Sequence, residues 1–233
     1  MPDDDTPRHT TDETQAARRQ ARIASRRDRS REEILDATRR VLLRKGVGGT
    51  TLEAVAREVG MSKTALYYYF PSKDALLFEL IFGTYKSHAE GVEDAVAGAA
   101  DGPDALRAMI RQSVWDFGSR LDDFRLAFLY GQASSPGSVH VSEEQFARIR
   151  PLNDVLLAGA AQKLAAVAGP NRAGVPPRLL AFLAHIAAIG LLTMKGMADS
   201  MEDPLIHSDN DLVEGLASVF AVAAEPAKHG DSA

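Results

Sequence analysis

The sequence predicts an all-α protein, with an N-terminal three-helix head joined by a long helix to a larger C-terminal helical domain. Three observations carry this. Apolar residues recur at three- and four-residue spacing from Ile34 to Ala223. No segment shows the apolar and polar alternation of a half-buried strand. Gly, Pro and capping residues punctuate the runs. The chain has 233 residues, 45% of them hydrophobic, enough for a packed core, so wholesale disorder is excluded. Cysteine is absent, which excludes disulfide frameworks, thiol nucleophiles and thiolate metal sites.

Residues 1–29 are rich in Asp, Thr, Arg and Gln with almost no large apolar side chain, and predict a disordered basic arm. Ser30-Arg31-Glu32-Glu33 reads as a capping box opening a helix on Ile34, Leu35, Ala37, Val41 and Leu42, which Gly46 stops. Thr50-Thr51-Leu52-Glu53 reads as a second box, with Leu52, Val55, Ala56 and Val59 on one face and Gly60 at the end. Ser62 caps a third helix from Lys63, in which Leu66 and Phe70 share a face. Two short helices around a tight Gly-containing turn make a helix-turn-helix.

Ser72 caps a long fourth helix from Lys73, striped by Leu77, Ile81, Thr84, His88 and Val92 and ending at the Gly-rich break before Pro103. Further helices are predicted from Asp104 to about Leu121, Asp122 to Gln132, Ser142 to about Ala168 with a kink at Pro151, Pro176 to Asp199, and Ser208 to Ala223. The domains are therefore a disordered arm over 1–29, a helix-turn-helix head over 30–76, a helical domain over 77–225 and a disordered tail over 226–233.

The net charge of -5 hides an asymmetry: residues 18–45 carry +7, whereas residues 81–233 carry -7. A basic head on an acidic body suits a polyanion partner, although residues 1–29 taken alone read equally as a solvated basic tail. The first thirteen residues are polar and acidic and do not read as a secretory signal. The apolar stretch from Leu179 to Met194 falls short of the roughly 20 residues of a membrane span and reads as a buried helix. The expectation is a cytoplasmic protein with no membrane partner.

With Leu66 and Phe70 turned inward, Thr64 and Tyr68 point outward, and Tyr67 and Tyr69 lie on the two borders. Lys63 and Thr64 occupy the first turn, the part of a recognition helix that reaches base edges in a major groove. The helix starts near Thr51 and Lys73 offer N–H groups to phosphate oxygens. The plainer alternative is that Tyr67 and Tyr69 pack, Thr51 caps and Lys73 solvates a helix end.

The run from Thr51 to Leu76, with Gly60-Met61-Ser62 and Ala65-Leu66-Tyr67-Tyr68-Tyr69-Phe70 at its centre, resembles the DNA-binding segment of TetR-family transcriptional regulators over about residues 30–80. Thr64 stands where many members have Gly, and Tyr69 where many have His. The resemblance implies a double-stranded DNA operator contacted by Thr51, Ser62, Lys63, Thr64, Ala65, Tyr67, Tyr68, Tyr69 and Lys73. It also implies a regulatory and dimerisation role for the C-terminal domain. The homodimer would form through about 176–199 and 208–223, the operator would be an inverted repeat, and a small-molecule effector would tilt the fourth helix and release a repressor. The residues independently permit the dimer: a helix apolar all round must be covered, and Gly190 and Gly196 allow close approach.

For the effector, Trp115 projects to the more polar side of its helix beside Arg111, and an aromatic wall with a cation nearby suits a small-molecule cavity. His88, His185 and Phe128 are further cavity candidates, each also readable as core. The sequence has no G-x-S-x-G, S-x-x-K, Walker A or H-E-x-x-H pattern, and its six histidines are far apart, so no catalytic residue, metal or cofactor is expected. The alternatives are an architectural DNA-binding or helical interaction protein without a small ligand, and an all-α enzyme assembled from distant side chains.

Overall fold

The structure, a computed structural model, describes residues 9–118, 121–125, 142–167, 169–201 and 207–227. Their regular structure is helical: α1 (His9–Gly49), α2 (Leu52–Val59), α3 (Lys63–Tyr69), α4 (Lys73–Ala97), α5 (Gly102–Gly118), α6 (Leu121–Phe124), α7 (Glu143–Ala165), α8 (Pro177–Met201) and α9 (Asp209–Ala224). The chain divides into two compact units, Met1–Leu80 and Ile81–Ala233, and α4 belongs to both.

In the first unit α2 packs on α1 and α3 on α2, around Ile34, Val41, Val55, Leu66, Phe70 and Leu76. The expected disordered arm is corrected from His9 onward, because α1 begins there. Residues 9–45 contain no Gly or Pro and many Ala, Arg, Gln and Glu, all good helix formers. The packed half of α1 supplies the costly nucleus, and the arm extends it. Ser30 consequently lies inside α1 rather than capping it. Gly46, at φ 65, breaks the regular helix where the sequence predicts the stop. The second cap moves by one residue. Thr51 Oγ accepts from the Ala54 N–H at 3.1 Å, while buried Thr50 turns back and donates to the Gly46 carbonyl at 2.8 Å.

In the second unit α5 is central, packed against α7, α8 and α9. Leu106, Met109, Ile110, Val114 and Phe117 are all buried on it. Gly102 is needed at its start, since a Cβ there would lie 2.9 Å from Leu164 Cδ2 and 3.0 Å from Leu164 Cα. Lys163 donates to the Ala99 carbonyl and so satisfies the chain just beyond the end of α4. α7 runs through Pro151 as one helix, and the helix predicted to Gln132 falls within the described residues only as far as Arg125. The predicted tail is corrected at its start: the Ala227 N–H donates to the Pro170 carbonyl at 2.9 Å, and Pro226 bridges Asn171.

The two last helices correct the sequence reading further. On α9 the buried positions are Ala217, Ala221 and Ala224, whereas Val219 and Val222 are exposed. On α8, Leu180, Ala181, Ala184, Ala188 and Leu192 are buried, but Leu179, Phe182, Leu183, Ile186 and Met194 are exposed. The expectation that α8 is buried all round therefore fails within one subunit. Apart from Leu180 and Leu192, these inward side chains are alanines, which allow close helix packing, and several larger apolar ones are left outside. The stretch Pro177–Lys195 is long and apolar enough to cross a membrane by length and composition, a test that a core helix of a soluble protein also meets.

Candidate nucleic-acid interface

The turn between α2 and α3 is fixed by local chemistry. Gly60 adopts the left-handed conformation at φ 75, the Met61 N–H donates to the Ala56 carbonyl at 2.9 Å, and Ser62 Oγ then accepts from the Ala65 N–H at 3.1 Å. One helix is closed and the next opened within three residues. Leu66 and Phe70 are sealed in the core, so α3 must turn its other side to solvent.

That side carries the predicted residues. Thr51, Ser62, Lys63 and Thr64 are exposed, Ala65 and Tyr69 are half-buried, Tyr67 is 44% exposed and Tyr68 is 69% exposed. Lys63 is not a bare cation: its ammonium pairs with Glu53 and lies 5.9 Å from the Tyr67 ring centroid. The hydrogen bond and charge of Glu53 hold Lys63 above the usual lysine range and in turn lower Glu53. Lys73 does not simply solvate a helix end. It donates to the Val47 carbonyl and is half-buried.

Sequence reasoning counted the arginines of α1 only as charge, and missed two placements. Arg31 donates to the Tyr69 carbonyl at 3.1 Å and lies 4.5 Å above the Phe70 ring, securing the end of α3. Arg27 sits 5.6 Å from the centroid of the Tyr68 ring. Their 38- and 41-residue separations from α3 leave no local signature.

The effector candidates fare differently. His88 and His185 meet inside the second unit with ring centroids 6.0 Å apart, and Phe117 lies 4.9 Å from His88. His88 Nδ1 and Asp116 Oδ2 are 3.0 Å apart, and Gln112 donates to the other Asp116 oxygen at 2.7 Å. Burial, then the neighbouring His88, pulls His185 down to about 4. Burial pushes Tyr85, whose hydroxyl meets Asn153 Oδ1 at 2.5 Å, up to about 12. Trp115 and Arg111 do not join this cluster: Trp115 is 82% exposed on the far side of α5, and Arg111 forms a surface pair with Glu214 of α9. Phe128 lies outside the described residues. Among the described residues no group of His, Asp and Glu is arranged to hold a metal ion.

Residues 34–80, which form most of the first unit and include all nine predicted DNA-contacting positions, match the family described as bacterial regulatory proteins, tetR family. These residues match the N-terminal segment of the TetR family. Among its curated relatives, the HTH-type transcriptional regulator Rv1816 of Mycobacterium tuberculosis is 40% identical over 78 residues, 32% of this chain and 33% of that one. The HTH-type transcriptional repressor NicS of Pseudomonas putida is 29% identical over 101 residues, covering 43% of this chain and 47% of NicS. The matches thus span a third to a half of the length of these curated relatives. The crystal structure of the transcriptional regulator FadR from Bacillus subtilis in complex with stearoyl-CoA has a TM-score of 0.61, with 18% identity, covering 83% of this chain and 97% of FadR. That likeness shows the fold through both units of the chain.

Proposed function

We propose that the protein is a transcriptional repressor that binds an inverted-repeat DNA operator as a homodimer and is released by a small-molecule effector. The observation that carries the reading is the outward face of α3, where Lys63, Thr64 and Tyr68 stand exposed over a core closed by Leu66 and Phe70. Entry of that face into a major groove brings its first turn to the base edges, while Thr51, Ser62 and Lys73 sit beside helix starts suited to phosphate. Tyr67, Tyr69 and Ala65 shape the borders of the contact. NicS, named a repressor, supports the sign of regulation.

The exposed apolar side chains of α8 and α9 support a two-fold dimer, which would set two recognition helices about one DNA turn apart or a multiple. Gly190 leaves open space where a Cβ would stand, which suits a partner helix at close range. For the effector, the polar group of His88, Asp116 and Gln112, enclosed by Phe117 and His185, supplies directional contacts inside an apolar surround. An effector favouring one setting of α4 shifts the equilibrium by its differential affinity for the two states. The capture of stearoyl-CoA by the FadR fold supports a ligand role for the second unit. Because its partner is genomic DNA, the protein works in the cytoplasm and is a regulator rather than an enzyme.

Enrichment from a randomised duplex pool by the full chain tests this reading. The expected product is an inverted repeat bound by two subunits; enrichment without any repeat would favour an architectural DNA binder.

A further inference from the structure

The arm of α1 has no packing role that accounts for it. Every side chain from Arg18 to Arg29 is exposed, and the segment is polar nearly all round, so it buries no apolar face of its own. At about 1.5 Å per residue it carries side chains roughly 18 Å beyond the packed head. Residues 18–31 hold seven arginines against the single carboxylate of Asp28. Arg19, Arg22, Arg26 and Arg29 fall at i, i+3, i+7 and i+10, which places them on one stripe of the helix. Among the described residues none of these four forms an ion pair with a carboxylate. The adjoining face, with Gln20, Ile23, Arg27 and Arg31, borders an open groove, and Arg27 reaches the exposed Tyr68 ring of α3.

We propose that this helical arm is a second DNA-binding element, whose arginine stripe tracks the phosphates flanking the groove entered by α3. The inference rests on the DNA-binding reading above and extends it to base pairs outside the inverted repeat. Four guanidiniums at helical spacing match a polyanion better than a base sequence, so the arm adds affinity and salt dependence without adding selectivity. The contact of Arg27 with Tyr68 ties the root of the arm to the base-reading helix, so both meet the same duplex.

The test uses the full-length protein, wild type and Arg22→Gln/Arg26→Gln/Arg29→Gln, a set that keeps good helix formers in place. The probes are the duplex enriched by the wild type, once trimmed to the repeat and once extended by about ten base pairs on each side, and a random-sequence duplex of the longer length. Wild type should bind the extended duplex at least about tenfold more tightly than the trimmed one at moderate salt. The variant should lose that advantage, and its salt slope on the extended duplex should fall by as much as about 5 for the two arms of a dimer. Its binding to the trimmed duplex and its helicity by circular dichroism should stay unchanged. Equal wild-type binding to both lengths, or an unchanged salt slope in the variant, overturns the proposal. If the wild type prefers no sequence yet the variant loses slope on random duplex, the operator-reading function falls and the arm's role stands.

Discussion

Tyr68 and His185 show how one residue's surroundings set its task. Tyr68 is largely exposed, touching the edge of Tyr69 and lying near Arg27. Such a position can be replaced with little effect on stability, within about 0.5 kcal/mol. His185 is the reverse: buried beside His88, it is held at about 4 against an ordinary 6.5. The unfolded chain therefore takes up a proton here first as pH falls. The stability tied to its neutral ring is complete above about pH 6.5, is lost as pH falls through the window down to about 4, and amounts to about 3 kcal/mol at most. The difference in melting temperature between wild type and His185→Gln, followed from pH 7 to pH 4, should therefore narrow on acidification. A difference that stays constant would show that His185 does not carry this dependence.

At the scale of elements, helices with strong punctuation were legible in the sequence and their partners were not. The start of α3 at Lys63, the turn at Gly60 and the start of α4 at Lys73 all follow from caps and glycines, which act over a few residues. The arm was misread because its composition lacks apolar anchors, yet a helix already nucleated by Ile34 and Val41 can run on through Ala, Arg and Gln. On α9 the alanines Ala217, Ala221 and Ala224 point into the subunit while Val219 and Val222 point away, a choice that apolar spacing alone does not make. For Trp115 likewise, a helical wheel gives a direction, not what stands there, and its ring is exposed. The exposed face of α8 leads to an element-level prediction. Ile186→Glu should halve the mass in solution by sedimentation equilibrium while leaving the far-ultraviolet spectrum intact, since it places a charge on the proposed dimer face. A dimer of unchanged stability would move the interface elsewhere.

Across the whole molecule, charge and architecture agree. The basic segment over 18–45, at +7, belongs to the unit that presents α3, and residues 81–233 carry a net -7, which favours nucleic acid meeting only one end of the chain's sequence. α4 belongs to both units, so in the proposed function it is the covalent route by which an effector's preference for one conformation would reach the first unit. The first unit is more legible in the sequence than the second because helix caps and a three-tyrosine run are local, while His88, Asp116 and His185 come together from α4, α5 and α8 across nearly a hundred residues. The most direct measurement is fluorescence anisotropy of the enriched inverted repeat against wild type, Tyr68→Ala and Lys63→Ala at fixed salt. Each variant should bind that repeat at least about fivefold more weakly, with helicity, dimer mass and affinity for random duplex preserved. Wild-type affinity for the repeat in both variants would contradict the claim that the exposed face of α3 reads DNA.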